Sequence, residues 1–151
     1  MKFQPKSDFM RIMLERGFYN DCTGAESLDE KLKANSVSGY IGFDATAKSL
    51  HVGSLTQIMM LYWLQECGHK PIVLMGGGTT KIGDPSFRNE ERTLLSEEKI
   101  NENIGTIKKA FSNYINFDHG DNRAIILDNS EWLDQLYFIE MLRKFGSQFT
   151  I

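Results

Sequence analysis

The sequence has few cysteines, few prolines and no long apolar run. Its two cysteines, Cys22 and Cys67, lack CxxC spacing, which favours reduced thiols and a cytosolic setting. The longest apolar stretch is about ten residues, at 58–64 and its flanks, too short for a bilayer. No charged-then-apolar leader pattern is visible at the N-terminus. We therefore expect a cytoplasmic protein with no membrane segment.

Excess charge of either sign is also missing. The net charge is −3, so no overall basic field attracts nucleic acid, and any RNA contact must come from a local patch or from further chain. Apolar residues make up 41% and charged residues 25%, which is typical of globular proteins and excludes a disordered chain.

The first part of the chain, residues 1–38, predicts short helices. Residues 9–16 carry apolar side chains at helical spacing, and Gly17 follows as a stop signal. Ser27, with Glu30 three positions later, predicts a capping box at the start of a second helix.

From Gly39 onward, strand-like and helix-like segments alternate. The predicted strands are at 40–43, 71–75 and 124–127, and a loop is predicted at 76–95. The predicted helices are at 50–66, closed by Gly68, from Ser96 onward, and at 132–142, stopped by Gly146. The buried face of the helix that begins at Ser96 is predicted to consist of Ile100, Ile104, Ile107, Phe111 and Tyr114. The helices at 55–64 and 132–145 are apolar nearly all round, so they are either core or an interface.

This alternation predicts an α/β fold with a Rossmann-like parallel sheet, flanking helices and right-handed crossovers. The strand at 71–75 is apolar on both alternating faces, which favours a central strand covered on both sides. We divide the chain into an N-terminal helical segment, 1–38, and a partial Rossmann-like domain, 39–151. Ligands of such sheets bind at the carboxyl ends of the strands, which selects the loops 44–51, 76–95 and 128–132.

The first of these loops combines a strand end with a helix start. Residues 40–54 read YIGFDATAKSLHVGS, with a helix beginning near His51. A helix N-terminus attracts phosphate, and His51 and Ser54 lie three apart, on one helical face. Gly53 leaves room for a flat ring against the backbone. The alternative is a capped helix with an incidental surface histidine.

The second loop is glycine-rich and basic. Residues 76–92 read GGGTTKIGDPSFRNEER, where three glycines indicate close backbone approach or positive φ. The segment is neither a dinucleotide fingerprint, because Lys81 replaces the third glycine, nor a Walker A loop, because Asp84 replaces the lysine. Arg88 and Arg92 lie four apart and could grip phosphate from one side. The alternative is a solvated charged loop.

A protein-held metal is not expected. His69 and His119 lack partners at metal-ligand spacing, and no HExxH motif or Cys/His cluster is present.

Together the two motifs resemble class I aminoacyl-tRNA synthetases, and more narrowly the N-terminal part of the bacterial-type tyrosyl enzymes. The motifs match in order, in spacing and in place relative to the strands. The resemblance implies the first half of a class I catalytic domain. It also implies a ligase that activates L-tyrosine with ATP and Mg²⁺, transfers tyrosyl to tRNA(Tyr), and works as a homodimer.

The resemblance assigns roles to individual residues. His51, Gly53 and Ser54 take the place of the family's HIGH signature, which binds ATP and stabilises the transition state. His51 contacts the attacked phosphate, Gly53 lies under adenine, and Ser54 replaces the signature's last histidine. The remaining roles are ATP binding by Gly42, Asp44 and Thr46, tyrosine binding by Tyr40, Thr79 and Asp84, and pyrophosphate binding by Arg88 and Arg92.

The chain lacks other parts that the family carries. No KMSKS-like lysine segment, no later helix of the tyrosine pocket and no anticodon-binding region are found, so we expect weak or no activity from these 151 residues alone. Two alternatives remain open: a different nucleotidyltransferase with an HxGH-type site, and a non-catalytic fragment that retains part of an ATP pocket.

Overall fold

Three parallel strands lie at the centre of the computed structural model, which describes residues 3–82 and 95–148. The strands are β1 (Ser38–Phe43), β2 (Lys70–Met75) and β3 (Ile125–Asp128), with β2 in the middle. The helices are α1 (Asp8–Glu15), α2 (Ala25–Ala34), α3 (Val52–Glu66), α4 (Gly77–Ile82), α5 (Glu97–Phe111), α6 (Ser130–Leu133) and α7 (Phe138–Phe145), followed by a 3₁₀ turn at Gly146–Gln148. The predicted α/β fold with a parallel sheet is confirmed.

Local signals set most helix ends. Ser7 and Ser96 accept backbone N–H groups at the starts of α1 and α5. Gly17 and Gly68 adopt positive φ after α1 and α3. The capping box at Ser27 is wrong, because α2 begins two residues earlier behind Gly24 and has no side-chain cap.

One face of the sheet carries the core. Val73 and Met75 of β2 are fully buried, and the ring of Phe43 packs edge-on against Phe111 of α5 at a centroid distance of 4.8 Å. Leu61 of α3 belongs to the same apolar cluster. The core also includes Met10, Ala25 and Leu32 from the two N-terminal helices.

The opposite face of the sheet is less covered than predicted. Along β2 the fully buried residues alternate with the half-buried Ile72 and Leu74. Within the described ranges, β2 is therefore central in the sheet but closely packed on one face only.

Three predicted elements are corrected. The predicted loop at 76–95 starts with a helix, α4, directly after Gly76. The predicted helix at 132–142 is interrupted between α6 and α7, where Asp134 forms an ion pair with Lys81 of α4. Tyr114 lies beyond the end of α5 and is exposed, so it does not extend the buried face of that helix.

The apolar residues near the C-terminus are exposed. They are Leu136, Tyr137, Phe138, Ile139, Leu142 and Phe145. Helix α3, by contrast, buries Ile58, Leu61 and Leu64 but exposes Val52 and Leu55 at its start. Over residues 3–82 and 95–148, no helix has both the length and the apolar character needed to cross a membrane.

Candidate active site

The carboxyl ends of the three strands lie level with one another. Phe43 pairs with Met75, and Met75 pairs with Asp128. The hydrogen-bond ladder continues one residue further, because the N–H of Gly76 donates to Phe43 at 2.9 Å and that of Asn129 donates to Met75 at 2.9 Å. The three loops selected from the sequence therefore leave the sheet side by side.

The N–H groups at the start of α4 are bound by side chains from the end of β3. Gly77 donates to Oδ1 of Asp128 at 3.1 Å, and Gly78 donates to Oδ1 of Asn129 at 2.8 Å. Asn129 also accepts from the N–H of Thr79 at 3.4 Å. These donors are occupied within the protein, which agrees with the absence of a phosphate-loop motif in the sequence.

The glycines of this segment are required by close approach and not by positive φ. A Cβ on Gly77 would collide with the carboxylate of Asp128, whose Oδ2 would lie at 2.7 Å. A Cβ on Gly78 would lie 3.1 Å from Leu133 of α6. The three glycines therefore serve close backbone approach, and none of Gly76, Gly77 and Gly78 has a positive φ.

Thr79 lies at the exposed surface of α4 but is held in place. Its hydroxyl donates to the carbonyl of Gly76 at 3.3 Å and accepts from Nδ2 of Asn129 at 3.2 Å. The hydroxyl is thus oriented by two partners within the protein.

Lys81 ties α4 to its neighbours. Its ammonium lies 2.8 Å from Glu97 of α5 and 2.6 Å from Asp134. Hydrogen bonds to Asp134 and Glu97 raise the pKa of Lys81 to about 12. The sequence motif gave no sign of this pairing, because the partners are distant along the chain.

The loop after β1 contacts the glycine segment directly. Asp44 and Thr46 are exposed, whereas Ala45 between them is fully buried. The carboxylate of Asp44 lies against Gly76, where a Cβ would be 2.8 Å from Oδ1. The first and second loops therefore meet at this edge of the sheet.

His51 is the N-cap of α3, one residue before the helix begins. Its Nδ1 accepts the N–H of Gly53 at 3.0 Å, so the neutral ring carries its proton on Nε2. The imidazole is exposed, which leaves Nε2–H as a donor. The flat ring that lies against Gly53 is this imidazole, with Cε1 2.7 Å from a Cβ placed there.

Ser54 is placed differently from His51. Only 6% of Ser54 is exposed, and its N–H donates to the carbonyl of His51 at 2.9 Å. The predicted shared helical face is not formed, because His51 has extended backbone angles outside the helix.

Tyr40 and Gly42 lie on the less covered face of the sheet. Tyr40 is 69% exposed and is level with Ile72, while Gly42 is level with Leu74. A Cβ on Gly42 would meet nothing within 4 Å. A flat ligand can therefore approach β1 and β2 from this side.

Three predicted site residues, Asp84, Arg88 and Arg92, lie outside the described residues. Within the ranges 3–82 and 95–148, no group of three or more His, Cys, Asp or Glu side chains is placed to hold a metal ion.

Two residues that lie outside both motifs also support the site. Asp128 and Asn129 follow β3, in a loop that the carboxyl-end rule selected but to which no chemistry was assigned. Their signal was a pair of short polar side chains directly after an apolar strand. The arrangement combines an exposed imidazole donor, an exposed carboxylate, an oriented hydroxyl and an open sheet face.

Comparison with known proteins gives consistent matches. The family model for class I tRNA synthetases (W and Y) matches residues 32–151. The chain is 59% identical to the tyrosine–tRNA ligase of Ruegeria pomeroyi over 152 residues, covering 100% of this chain and 37% of that protein. It is 57% identical to the tyrosine–tRNA ligase of Dinoroseobacter shibae over 151 residues, covering 100% of this chain and 36% of that protein.

A solved structure agrees with these matches. The C-terminally truncated mitochondrial tyrosyl-tRNA synthetase of Aspergillus nidulans superposes with a TM-score of 0.77 at 27% identity. The match covers 97% of this chain and 44% of that one. The chain thus spans less than half the length of each of these three proteins.

Proposed function

We propose, from the premise that the chain belongs to the class I tRNA synthetases of the W and Y type, that it is the N-terminal part of a tyrosine–tRNA ligase. The observation that carries the proposal is the meeting of the two motif loops at one sheet edge. Asp44, which follows β1, lies against Gly76, which follows β2. Tyr40 lies on the less covered face of β1. The names of the relatives supply the amino acid, tyrosine.

The reaction begins when the carboxylate of tyrosine attacks the α-phosphorus of ATP. A P–O bond forms, and pyrophosphate leaves with the electron pair of the bond that breaks, giving tyrosyl-adenylate. The carboxylate is already ionised, so no general base is needed, and catalysis depends on positioning and on donors aimed at phosphate oxygens. The tyrosyl group then passes to tRNA(Tyr), and AMP is released.

His51 supplies one such donor in this proposal. Its Nε2–H contacts the phosphate that is attacked, while Nδ1 remains bound to Gly53. Asp44, Thr46, Gly42, Gly53 and Ser54 complete the predicted ATP contacts. Mg²⁺ arrives with the ATP phosphates.

The tyrosine substrate lies over the open face of β1 and β2. Tyr40 hydrogen-bonds the substrate hydroxyl, and Thr79 and Asp84 bind the ammonium group. Arg88 and Arg92 hold pyrophosphate, for which the planar, permanently charged guanidinium is suited.

Other parts of the proposal concern the whole protein. We infer a cytoplasmic homodimer, and we expect weak or no turnover from residues 1–151 alone, because the chain covers 37% of a relative's length. The division into 1–38 and 39–151 stays a prediction. The relatives do not favour the alternative of a different nucleotidyltransferase.

The test is ATP–pyrophosphate exchange by the full-length protein that carries this sequence. Exchange should depend on tyrosine and be far weaker with phenylalanine, because a site that binds a hydroxyl can discriminate by up to about 10⁵-fold. Nicotinamide mononucleotide and phosphopantetheine serve as controls. Exchange with either of these but not with tyrosine would refute the proposal. No exchange at all by the full-length protein would favour the alternative in which these residues retain part of an ATP pocket without catalysis.

A further inference from the structure

Ala45 is held from two sides by side chains of other elements. Its N–H donates to Oγ1 of Thr80 on α4 at 3.1 Å, and its carbonyl accepts from Nδ2 of Asn103 on α5 at 2.8 Å. Ala45 is fully buried in the loop after β1. Both of its backbone polar groups are therefore paired although it belongs to no strand or helix.

Asn103 is unusual for its place in the fold. It is only 1% exposed and lies on the buried face of α5 with Ile100 and Ile107. Its Oδ1 has no hydrogen-bond partner among the described residues. A buried polar atom without a partner is destabilising, so an apolar side chain would serve the packing at least as well. The hydrogen bond to Ala45 is what distinguishes Asn103 from such a side chain.

The residues on either side of Ala45 are exposed. They are Asp44 and Thr46, the predicted ATP contacts. A second tie follows three residues later, where the ammonium of Lys48 lies 2.6 Å from Glu102, the neighbour of Asn103 on α5. Helix α5 thus contacts this loop at two points, and Thr80 joins the loop to the segment that carries Thr79.

We propose that Asn103 and Thr80 are positioning residues that fix Ala45 and thereby orient Asp44 and Thr46 toward the nucleotide. The proposal rests on the function proposed above. Neither side chain contacts a reacting atom. Their effect reaches ATP through the backbone of the loop. The tyrosine site is held by other contacts, because the face of β1 and β2 is fixed by the sheet and the hydroxyl of Thr79 is fixed by Gly76 and Asn129.

The test uses three single variants, one double variant and one matched control in the full-length protein. Asn103→Leu keeps the branching and the number of heavy atoms of the side chain but lacks the amide. Thr80→Val removes the acceptor at constant shape, and Thr80→Ser restores it. Ile104→Leu changes a buried side chain of the same helix that makes no hydrogen bond, and it serves as the control.

Asn103→Leu and Thr80→Val should each raise KM for ATP in pyrophosphate exchange by about tenfold or more, since small misplacements of binding groups have effects of this size. KM for tyrosine should stay within about twofold, and Thr80→Ser should recover most of the loss. The double variant should show less than the product of the two single effects, because both hold one residue. Unchanged KM for ATP, or equal changes for both substrates, would overturn the proposal.

Hydrogen–deuterium exchange gives a readout that does not need turnover. Residues 44–50 should exchange faster in Asn103→Leu and Thr80→Val than in the wild type or Ile104→Leu, while β2 stays protected. Unaltered exchange over 44–50 would overturn the positioning role even if the wild type proved inactive. Absence of tyrosine-dependent ATP–pyrophosphate exchange in the wild type would instead count against the proposed function.

Discussion

Nδ1 of His51 accepts the N–H of Gly53 at 3.0 Å, and the imidazole lies against the bare Cα of that glycine. The histidine therefore caps its own helix with one ring nitrogen and leaves the other exposed. The glycine is what allows the ring to reach the N–H, because a Cβ there would be 2.9 Å from Nδ1.

Substitution of Gly53 by alanine should separate stability from activity. Alanine gains about 0.5–1 kcal/mol in a helix, but loss of the cap costs about 1 kcal/mol, so the unfolding midpoint should move little. The displaced imidazole should lower the rate of adenylate formation by about tenfold or more. Pyrophosphate exchange and thermal unfolding measure the two effects.

Gly105→Ala is the matched control, because a Cβ at this exposed position of α5 meets nothing within 4 Å. It should stabilise the protein and leave the rate of pyrophosphate exchange unchanged. A Gly53→Ala variant with the wild-type rate of pyrophosphate exchange would show that the position of the imidazole does not affect adenylate formation.

Replacing His51 should slow adenylate formation more than it weakens tyrosine binding. Asparagine is a good N-cap, so His51→Asn should keep the stability, whereas His51→Ala should lose about 1 kcal/mol of it. Both should lower the rate, since neither offers the Nε2 donor at the same reach. Single-turnover kinetics and equilibrium binding of tyrosine distinguish the effects. Equal losses in rate and in binding would contradict a role in the transition state.

Tyr40→Phe should narrow the preference for tyrosine over phenylalanine. Because Tyr40 is largely exposed on the open sheet face, removing its hydroxyl should not change the free energy of unfolding measurably. The ratio of kcat/KM for the two amino acids in exchange is the measurement. Tyr137→Phe, at another exposed position, is the control. An unchanged ratio would remove Tyr40 from the proposed pocket.

Asn129→Ala should weaken both the fold and the binding of tyrosine. The change leaves the buried N–H of Gly78 without its acceptor, which costs about 1–3 kcal/mol, and it frees the hydroxyl of Thr79 from one partner. KM for tyrosine should rise more than KM for ATP. Asn101→Ala, at an exposed position of α5, is the control and should change neither. A destabilised variant with unchanged KM for tyrosine would limit Asn129 to a structural role.

Because of Asp29, the free energy of unfolding should decrease at acid pH. Burial by itself raises the pKa of Asp29, but hydrogen bonds from Ser7 and from the N–H of Lys6 outweigh it, so the pKa lies below its ordinary value. Its stabilising effect is therefore present above about pH 4, the pKa in an unfolded chain, and is lost as the pH falls through the folded pKa.

The Asp29→Asn variant should unfold at a lower temperature than the wild type at pH 7, and the gap should shrink as the pH drops below about 4. Thermal unfolding between pH 7 and pH 2.5 measures it. Asp121→Asn removes the same charge at an exposed site and is the control. A gap that is constant with pH would show that the carboxylate's charge contributes nothing.

The elements that the sequence predicted well are those whose signals are local. Ser96 begins α5, and Gly17 and Gly68 end α1 and α3, because caps and positive φ depend on a few neighbouring residues. Alternation of strands and helices then predicts the parallel sheet and the edge at which its loops meet. The two motifs could be found from the sequence because they occupy loops at this edge.

The elements that it missed depend on partners far along the chain. Helix α4 follows Gly76 because Asp128 and Asn129, about 50 residues away, bind its first N–H groups. The break between α6 and α7 coincides with the ion pair of Asp134 and Lys81, 53 residues apart.

The sequence by itself determined the order of the three strands and of the helices α1, α2, α3 and α5, the parallel α/β class and the two motif loops, since periodicity, caps and glycine stops act over a few residues. Only the tertiary structure decided that Ser54 is buried and that Asn103 and Thr80 hold Ala45. Those arrangements depend on how folded elements pack, which spacing along a chain does not specify.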